Sequence, residues 1–414
     1  MTDTIELYDT TLRDGTQMEG ISLSVEDKLK IARKLDELGV HYIEGGWPGS
    51  NPKDAEFFVR ARSLALRKAQ LAAFGSTRHA GSSAESDPNL RALVDAGTPV
   101  VTIVGKAHDQ HVSLILETTA EENLAMIADS VRYLKSKGLR VFFDAEHFFD
   151  GFASDREYAL QCLKTAAGAG ADYVVLCDTN GGTITSTVVE VVRAVLGDVD
   201  CAVGIHTHNC ADVAVASSLA AVEAGASQVQ AAANGYGDMC GNANMFSIIA
   251  NLKLKLGLDV VSDEQLAGLT EASRYVSEIA NLQPSPRQPY VGSAAFAHKA
   301  GLHVAALVKE DWSYQHVDPS LVGNDTRILV SELAGRRNIL AKMREQGIDI
   351  PSEGNEAQSL LDQVKLMESR GYQYEGAEAS FELLVRRGRP GYEAPFELED
   401  FMVVERRHHK PGEA

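Results

Sequence analysis

The feature that most constrains this chain is one pattern repeated eight times across its first two-thirds. A short apolar run ends in a polar or glycine-rich turn, an amphipathic helical stretch follows, and the next apolar run begins. The runs are Ile5–Asp9, Val40–Gly45, Gln70–Gly75, Val100–Gly105, Arg140–Asp144, Tyr173–Cys177, Ala202–His206 and Ser227–Ala231. Their starts lie 25 to 40 residues apart, room for one strand, one helix and two loops. The helical stretches carry their own punctuation. Ser24-Val-Glu-Asp opens a run with apolar Leu29, Ile31, Ala32, Leu35 and Leu38 that stops at Gly39. Thr119-Ala-Glu-Glu does the same ahead of Leu124, Ile127, Val131 and Leu134, stopping at Gly138.

Eight such units predict an α/β chain whose residues 1–262 close into a (β/α)8 TIM barrel. An open doubly wound sheet would also alternate strands and helices, but no GxGxxG follows the first run. Polar residues also collect just after nearly every run. In a closed barrel those ends share one rim, where the active sites of this fold sit. Beyond the barrel a smaller, mainly helical C-terminal region is expected, since 414 residues exceed one ordinary core. It divides into a linker and first helical subdomain (263–350), a second small subdomain (351–392) and a tail (393–414). The second subdomain holds a helical stretch near Asn355–Arg370 and an apparent strand, Ala379–Val385; Arg406–Ala414 reads as solvated tail.

A formal net charge of −19 argues against a nucleic-acid partner, which needs a basic face. The start Met1-Thr-Asp-Thr-Ile-Glu is not that of a signal peptide, and no apolar segment approaches membrane length. Five cysteines without a CxxC pair, Cys177 and Cys201 among them in apolar runs, fit a reducing cytoplasm.

The sharpest chemical signal is Gly204-Ile-His-Thr-His-Asn, ending the seventh run. Strand residues i and i+2 share a face, so His206 and His208 converge, and neutral imidazoles suit a first-row divalent ion. Two hydrogen-bonded core histidines are the alternative. The first run leads into Asp9-Thr-Thr-Leu-Arg13-Asp14-Gly-Thr-Gln17 on the same rim. Elsewhere Arg13 and Asp14 would be a surface pair of little worth. At the rim, Asp14 can bind the metal while Arg13 polarises a substrate carbonyl or steadies an oxyanion. The glycine-rich loop Asn234–Asn244 offers Asn242 as a neutral oxygen ligand, although such loops are usually simple turns. Glu146, in Asp144-Ala-Glu-His, is either an acid/base group or the partner of a rim arginine. Thr179, in Asp178-Thr-Asn-Gly-Gly, is a donor to a substrate carboxylate. Outside the barrel, His298 and His303 stand in Phe296–His303, and Tyr314 in Trp312–Asp318; spacing does not decide which of them reaches the rim.

Leu12-Arg-Asp-Gly-Thr-Gln17, His206-Thr-His208 and Gly241-Asn242 resemble the metal-dependent acyl-transferring TIM barrels, the family of 2-isopropylmalate, homocitrate and citramalate synthases. Phe296–His303 is similar to the synthases and is not expected in the related lyases. Four longer strings look like the citramalate synthases: Glu44–Asp54, Phe143–Gly151, Leu329–Asn338 and Tyr372–Phe381. The resemblance spans nearly the whole chain. It implies a divalent ion (Mg2+, Mn2+, Zn2+ or Co2+) on Asp14, His206, His208 and Asn242. It implies that Arg13 and Thr179 hold a 2-oxo acid, that Glu146 and His303 handle protons around the acetyl methyl group, and that Tyr314 assists. The implied reaction condenses acetyl-CoA with pyruvate and hydrolyses the thioester to citramalate and CoA, on the route to isoleucine. It also implies a homodimer in which His303 and Tyr314 reach the neighbour's barrel. Three other readings stand beside this one: 2-oxoisovalerate as acceptor (a 2-isopropylmalate synthase), a metal-dependent lyase or aldolase on the same barrel, and a non-catalytic metabolite-binding barrel.

Departures from the family pattern fall at the rim and bear on substrate choice. The eighth loop reads Gly237-Asp-Met-Cys-Gly-Asn rather than Gly-Glu-Arg-Ala-Gly-Asn, the fifth run ends Asp-Ala-Glu-His, and no proline follows Asp178-Thr-Asn-Gly. Full-length relatives carry a C-terminal regulatory domain that binds an amino-acid end product. Here 393–414 would be only its start, so inhibition by isoleucine is not assumed.

Overall fold

A computed structural model describes residues 5–404 apart from 308, 332–333, 346–355, 389–390 and 398. The expected solvated tail, 406–414, lies outside the described residues, as does the start of the expected 351–392 subdomain.

Eight parallel strands close into a barrel in chain order. They are β1 (Glu6–Asp9), β2 (Tyr42–Gly46), β3 (Gln70–Ser76), β4 (Val100–Lys106), β5 (Arg140–Glu146), β6 (Tyr173–Asp178), β7 (Ala202–Thr207) and β8 (Gln228–Ala231). Closure is the pairing of β1 with β8, in register from Glu6 with Gln228 to Asp9 with Ala231. The eight apolar runs therefore are the eight strands.

The pleat sorts side chains by parity. Tyr8, Tyr42, Ala72, Val100, Phe142, Tyr173, Val175 and Cys177 fill the barrel interior. Their strand neighbours Leu7, Ile43, Ala73, Val101, Phe143 and Val174 join the larger core between sheet and helices. Phe142 meets Tyr42 and Tyr173 edge to face, with ring centroids 5.1 and 5.2 Å apart. Continued two residues at a time toward the strand ends, the inward register arrives at Glu44, Phe74, Asp144, His206 and Gln230.

The helix Val25–Leu38 starts at a capping box between Ser24 and Asp27 and ends at Gly39 with φ 91°, as the sequence predicts. Thr119 caps Ala120–Ser136 with its hydroxyl, which accepts the Glu122 N–H. No helix among the described residues is long and apolar enough to cross a membrane.

The chain forms two compact units, Met1–Phe296 with Val317–Asp325, and Ala297–His316 with Thr326–Ala414. Helices Asp263–Ala267 and Leu269–Ile279 belong to the first. The second holds helices Gly301–Leu307, Arg336–Glu345, Glu356–Glu368 and Glu378–Arg387 around Ile339, Met343, Leu360, Val364, Phe381 and Val385. The strand expected at Ala379–Val385 is therefore a helix. Phe381, Leu383 and Val385 alternate as in a strand, but Leu383 is 47% exposed while Phe381, Leu384 and Val385 turn to the core. That spacing of three and four is helical.

One buried ion pair fixes the rim end of β2. Lys28 reaches from its helix to the Asp54 carboxylate and to the Gly45 carbonyl, while Asp54 also accepts the Trp47 N–H at 2.9 Å. Gly46 has φ 144°, and a Cβ there would lie 2.4 Å from Asp54 Cγ, so the carboxylate occupies the space a side chain would need. Removing one partner strands the other charge without solvent. Asp54→Ala is expected to lower the unfolding free energy by about 3–5 kcal/mol in urea denaturation; a loss below about 1 kcal/mol would show the pair to be dispensable.

Candidate active site

Asp14 follows β1 in a tight turn whose Thr10 carbonyl accepts the N–H groups of Arg13 and Gly15, and it is 2% exposed. Its Oδ2 lies 3.3 Å from Nε2 of His206 and 3.3 Å from Nε2 of His208, and those nitrogens are 3.4 Å apart. His206 Nδ1 faces Gln230 Oε1 at 2.9 Å and His208 Nδ1 faces the Thr179 carbonyl at 2.6 Å. Both partners are acceptors, so each ring carries its proton on Nδ1 and turns the Nε2 lone pair toward Asp14. Three acceptors crowded together call for a positive charge between them. A proton can play that part on His206: burial opposes it, yet Asp14 raises the ring's proton affinity above the usual value. A divalent cation satisfies all three at once, and the separations are those of ligands about 2.0–2.2 Å from a shared ion. Asn242 pairs with His208 across a backbone bridge. Its amide nitrogen donates to the Tyr236 carbonyl, which leaves Oδ1 buried and without a partner among the described residues. The donor set thus fits a divalent ion with mixed N and O ligands.

Arg13 is gripped from two sides. Its Nε donates to Glu44 Oε2 at 2.6 Å, and its guanidinium lies over the Phe74 ring, 3.9 Å from the centroid. Glu44 is fully buried, and its other oxygen accepts from the Tyr8 hydroxyl at 2.7 Å. Burial would discharge Arg13, but Glu44 and Asp14 hold it firmly cationic. Burial likewise pushes Asp14 up, and Arg13 with the two imidazoles outweighs it, keeping that carboxylate well below the usual range. Asp144 has no such cation to itself. Burial and then the nearby Glu44 push it up to about 7. Its Oδ1 accepts from Gln230 Nε2 at 3.0 Å, so one amide joins Asp144 to His206.

Glu146 ends β5 and pairs with Lys106, which ends β4. The partner expected from the sequence was an arginine; a lysine takes the place. Thr179 follows β6, and its Oγ1 accepts the His147 N–H at 2.8 Å, leaving its own proton to donate elsewhere. A cavity of about 290 Å³ gathers Arg13, Asp14, Glu146, Thr179, His206 and His208 on one lining. Trp47, Phe74, Val104, Cys177 and Met239 supply its apolar wall, and Trp47 meets Phe74 edge to face at 5.4 Å.

Six residues singled out in the sequence therefore meet in one cavity, and Asn242 adjoins them through His208. His303 and Tyr314 meet each other in the second unit, their rings stacked at 4.2 Å. Glu44, Lys106, Asp144, Gln230 and Phe74 were not picked out. Glu44, Asp144 and Gln230 leave a trace, as polar residues inside or at the end of apolar runs; Lys106 and Phe74 leave none.

A closed parallel barrel with an Asp–His–His cluster beside a buried arginine at its C-terminal rim is the arrangement of a TIM-barrel enzyme whose rim could hold a cation. The HMGL-like family profile matches residues 4–276, and the profile described as homocitrate synthase post-HMGL domain-like matches 290–371. The (R)-citramalate synthase of Geobacter sulfurreducens is 52% identical over 406 residues, 98% of this chain and 77% of that one. Other (R)-citramalate synthases match at 46 to 53%. The probable 2-isopropylmalate synthase of Methanopyrus kandleri is more distant, at 36% over 90% of this chain and 71% of that one. Among solved structures, hydroxymethylglutaryl-CoA lyase from Pseudomonas aeruginosa superposes with a TM-score of 0.59 at 18% identity, covering 74% of this chain and 98% of that one. The chain belongs to the HMGL-like family and, within it, to the citramalate synthases.

The amide of Gln230 sets the orientation of His206, and such outer partners typically contribute 10–100-fold to metal affinity. Gln230→Leu is expected to weaken Mn2+ or Zn2+ binding by about that factor in calorimetric titration. Unchanged affinity would mean that the His206–Gln230 contact does not serve an ion.

Proposed function

We propose that this chain condenses acetyl-CoA with pyruvate and hydrolyses the resulting thioester, releasing citramalate and CoA. The observation that carries the reading is a single cavity holding the Asp14–His206–His208 cluster, Arg13, Glu146 and Thr179 in a chain so close to the citramalate synthases. The second unit, which matches a domain of the synthases, supports a synthase over a lyase.

Asp14, His206 and His208, with Asn242 as a further donor, would hold a divalent ion, which when bound would supply Lewis acidity to the acceptor's keto group. The remaining work falls to the chain's own side chains. Thr179 donates its hydroxyl proton to the pyruvate carboxylate. Arg13, locked by Glu44 and Phe74, presents guanidinium donors to the keto oxygen. Glu146 removes a proton from the acetyl methyl group, with Lys106 fixing the direction of its carboxylate. The methyl carbon then bonds to the keto carbon, and the alkoxide that forms is stabilised by Arg13, whose charge already points there before reaction. Water attacks the thioester carbonyl, the C–S bond breaks and CoA leaves as the thiol. His303 is assigned, with Glu146, the protons around the acetyl methyl group, and Tyr314 assists, in a homodimer where both serve the neighbouring barrel. The apolar wall of Trp47, Phe74 and Val104 is assigned the acceptor's methyl group, and a branched side chain would have to displace it.

Thiol release from acetyl-CoA, measured with each 2-oxo acid in turn, is expected to be fastest with pyruvate. Preference for 2-oxoisovalerate would replace the assignment by a 2-isopropylmalate synthase, and CoA-independent cleavage of a hydroxy-oxo acid would replace it by a lyase. Glu146→Gln is expected to lower kcat by about 10²–10⁴-fold, the usual worth of a positioned base. Mixing Glu146→Gln with His303→Ala protomers should restore part of the activity if sites are shared between copies; no recovery would place each site within one chain.

A further inference from the structure

Asn89 is a buried amide with no place in the mechanism above. It lies in the first turn of the helix Pro88–Asp95, which follows β3, and its N–H is tied at 2.9 Å to Asp87, the cap of that helix. Its side chain reaches back toward the rim. Oδ1 accepts the indole N–H of Trp47 at 2.8 Å, and Nδ2 donates to the carbonyl of Ser76, the last residue of β3, at 2.7 Å. Chemistry fixes which way the amide faces, because an indole N–H cannot accept and a carbonyl cannot donate. A carboxylate would be repelled by the Ser76 oxygen, and an apolar side chain would serve neither partner. The seat is also tight: a Cβ at Gly75 would come within 2.9 Å of Asn89 Oδ1.

Trp47 is thereby held at both ends, its backbone N–H by Asp54 and its indole N–H by Asn89. The ring is only half-buried, so one side-chain rotation would carry its N–H to water. The bond to Asn89 keeps it instead edge to face on Phe74, whose face carries the Arg13 guanidinium. Trp47 and Phe74 line the catalytic cavity of about 290 Å³, whereas Asn89 stands behind that wall. An indole is far larger than the few carbons that separate pyruvate from its branched homologues, so its orientation sets how much room the acceptor's side chain has. We propose that Asn89 is a positioning residue for acceptor choice: by fixing Trp47 it keeps the cavity too small for 2-oxo acids with branched side chains. The role rests on the condensation proposed above.

The test compares Asn89→Leu and the smaller Asn89→Ala with the wild type, each alone and combined with Trp47→Phe. From thiol release, the ratio of kcat/KM for pyruvate to that for 2-oxoisovalerate is expected to fall about tenfold or more in either Asn89 variant, since one methylene decides about 10–200-fold in such pockets. The fall should come from better use of 2-oxoisovalerate; equal losses with both acids would mark general damage and overturn the proposal. Trp47→Phe lacks the indole N–H and should lower the ratio by itself. Adding Asn89→Leu to it should then change nothing further, and an equal drop in both backgrounds would show that Asn89 does not act through Trp47. A second measurement needs no catalysis. The chain has two tryptophans, so Trp312→Phe leaves Trp47 as the one indole emitter. In that background Asn89→Leu should raise acrylamide quenching and lower the anisotropy of the emission; unchanged values would show that Asn89 does not hold the ring. A wild type that condenses no 2-oxo acid would overturn the reaction and with it this role, whereas an active wild type whose ratio the Asn89 variants leave unmoved would overturn the role alone.

Discussion

Everything at the catalytic rim depends on one pairing, that of the first strand with the eighth. Asp14 and His206 are far apart in the sequence, and nothing local draws them together. Closure places Asp9 beside Ala231, and the turn that follows Asp9 then carries Arg13 and Asp14 across to the histidines of β7. The loop after β8 is drawn in by the same closure, with the Ala233 N–H donating to Thr11 Oγ1 at 2.7 Å and Asn242 bridged to His208. An open sheet of the same eight strands would leave β1 and β8 on opposite edges and divide the site in two.

Closure also makes the site an electrostatic problem, because it gathers acids where little water enters. Glu44, Asp144 and Asp14 all face the same small volume, and Arg13 is the one guanidinium among them. Arg13 serves Glu44 first and Asp14 second. Asp144, left with a neutral amide, is pushed up to about 7 by burial and by Glu44. The guanidinium is thereby immobilised, as the charge-stabilising role proposed for it requires. The histidines follow the same logic: neutral acceptors fix their Nδ1 protons, so their free lone pairs converge on Asp14. An assembly of charges and lone pairs so balanced stores its cost in the folding of the barrel.

Strand positions were legible because their signal is local. A buried parallel strand is a short apolar run between turns, and each of the eight runs satisfied that without reference to any other. The same local reading failed at Ala379–Val385. Phe381, Leu383, Leu384 and Val385 satisfy both a period of two and one of 3.6, and only packing against Leu360 and Val364 selects the helix. His206 and His208 were legible as a pair because two residues separate like-facing positions on a strand. Gln230 and Asp144 were not, because their relation to His206 crosses three strands. Lys106 was hidden for a similar reason: it meets Glu146 only because β4 and β5 are neighbours in register.

The amino-acid sequence by itself determined the strands, the helix caps and the inward parity of the rim residues, since each depends on residues within a few positions of one another. It also determined which chemistry was at hand, a carboxylate, an arginine and two imidazoles at the ends of apolar runs. Only the tertiary structure decided that these become one cavity, that Glu44 rather than solvent holds Arg13, and that Asn242 keeps an unspent oxygen beside His208. Those facts arise from the closing of a ring, and a ring brings its first and last members together only when every strand between them is in place.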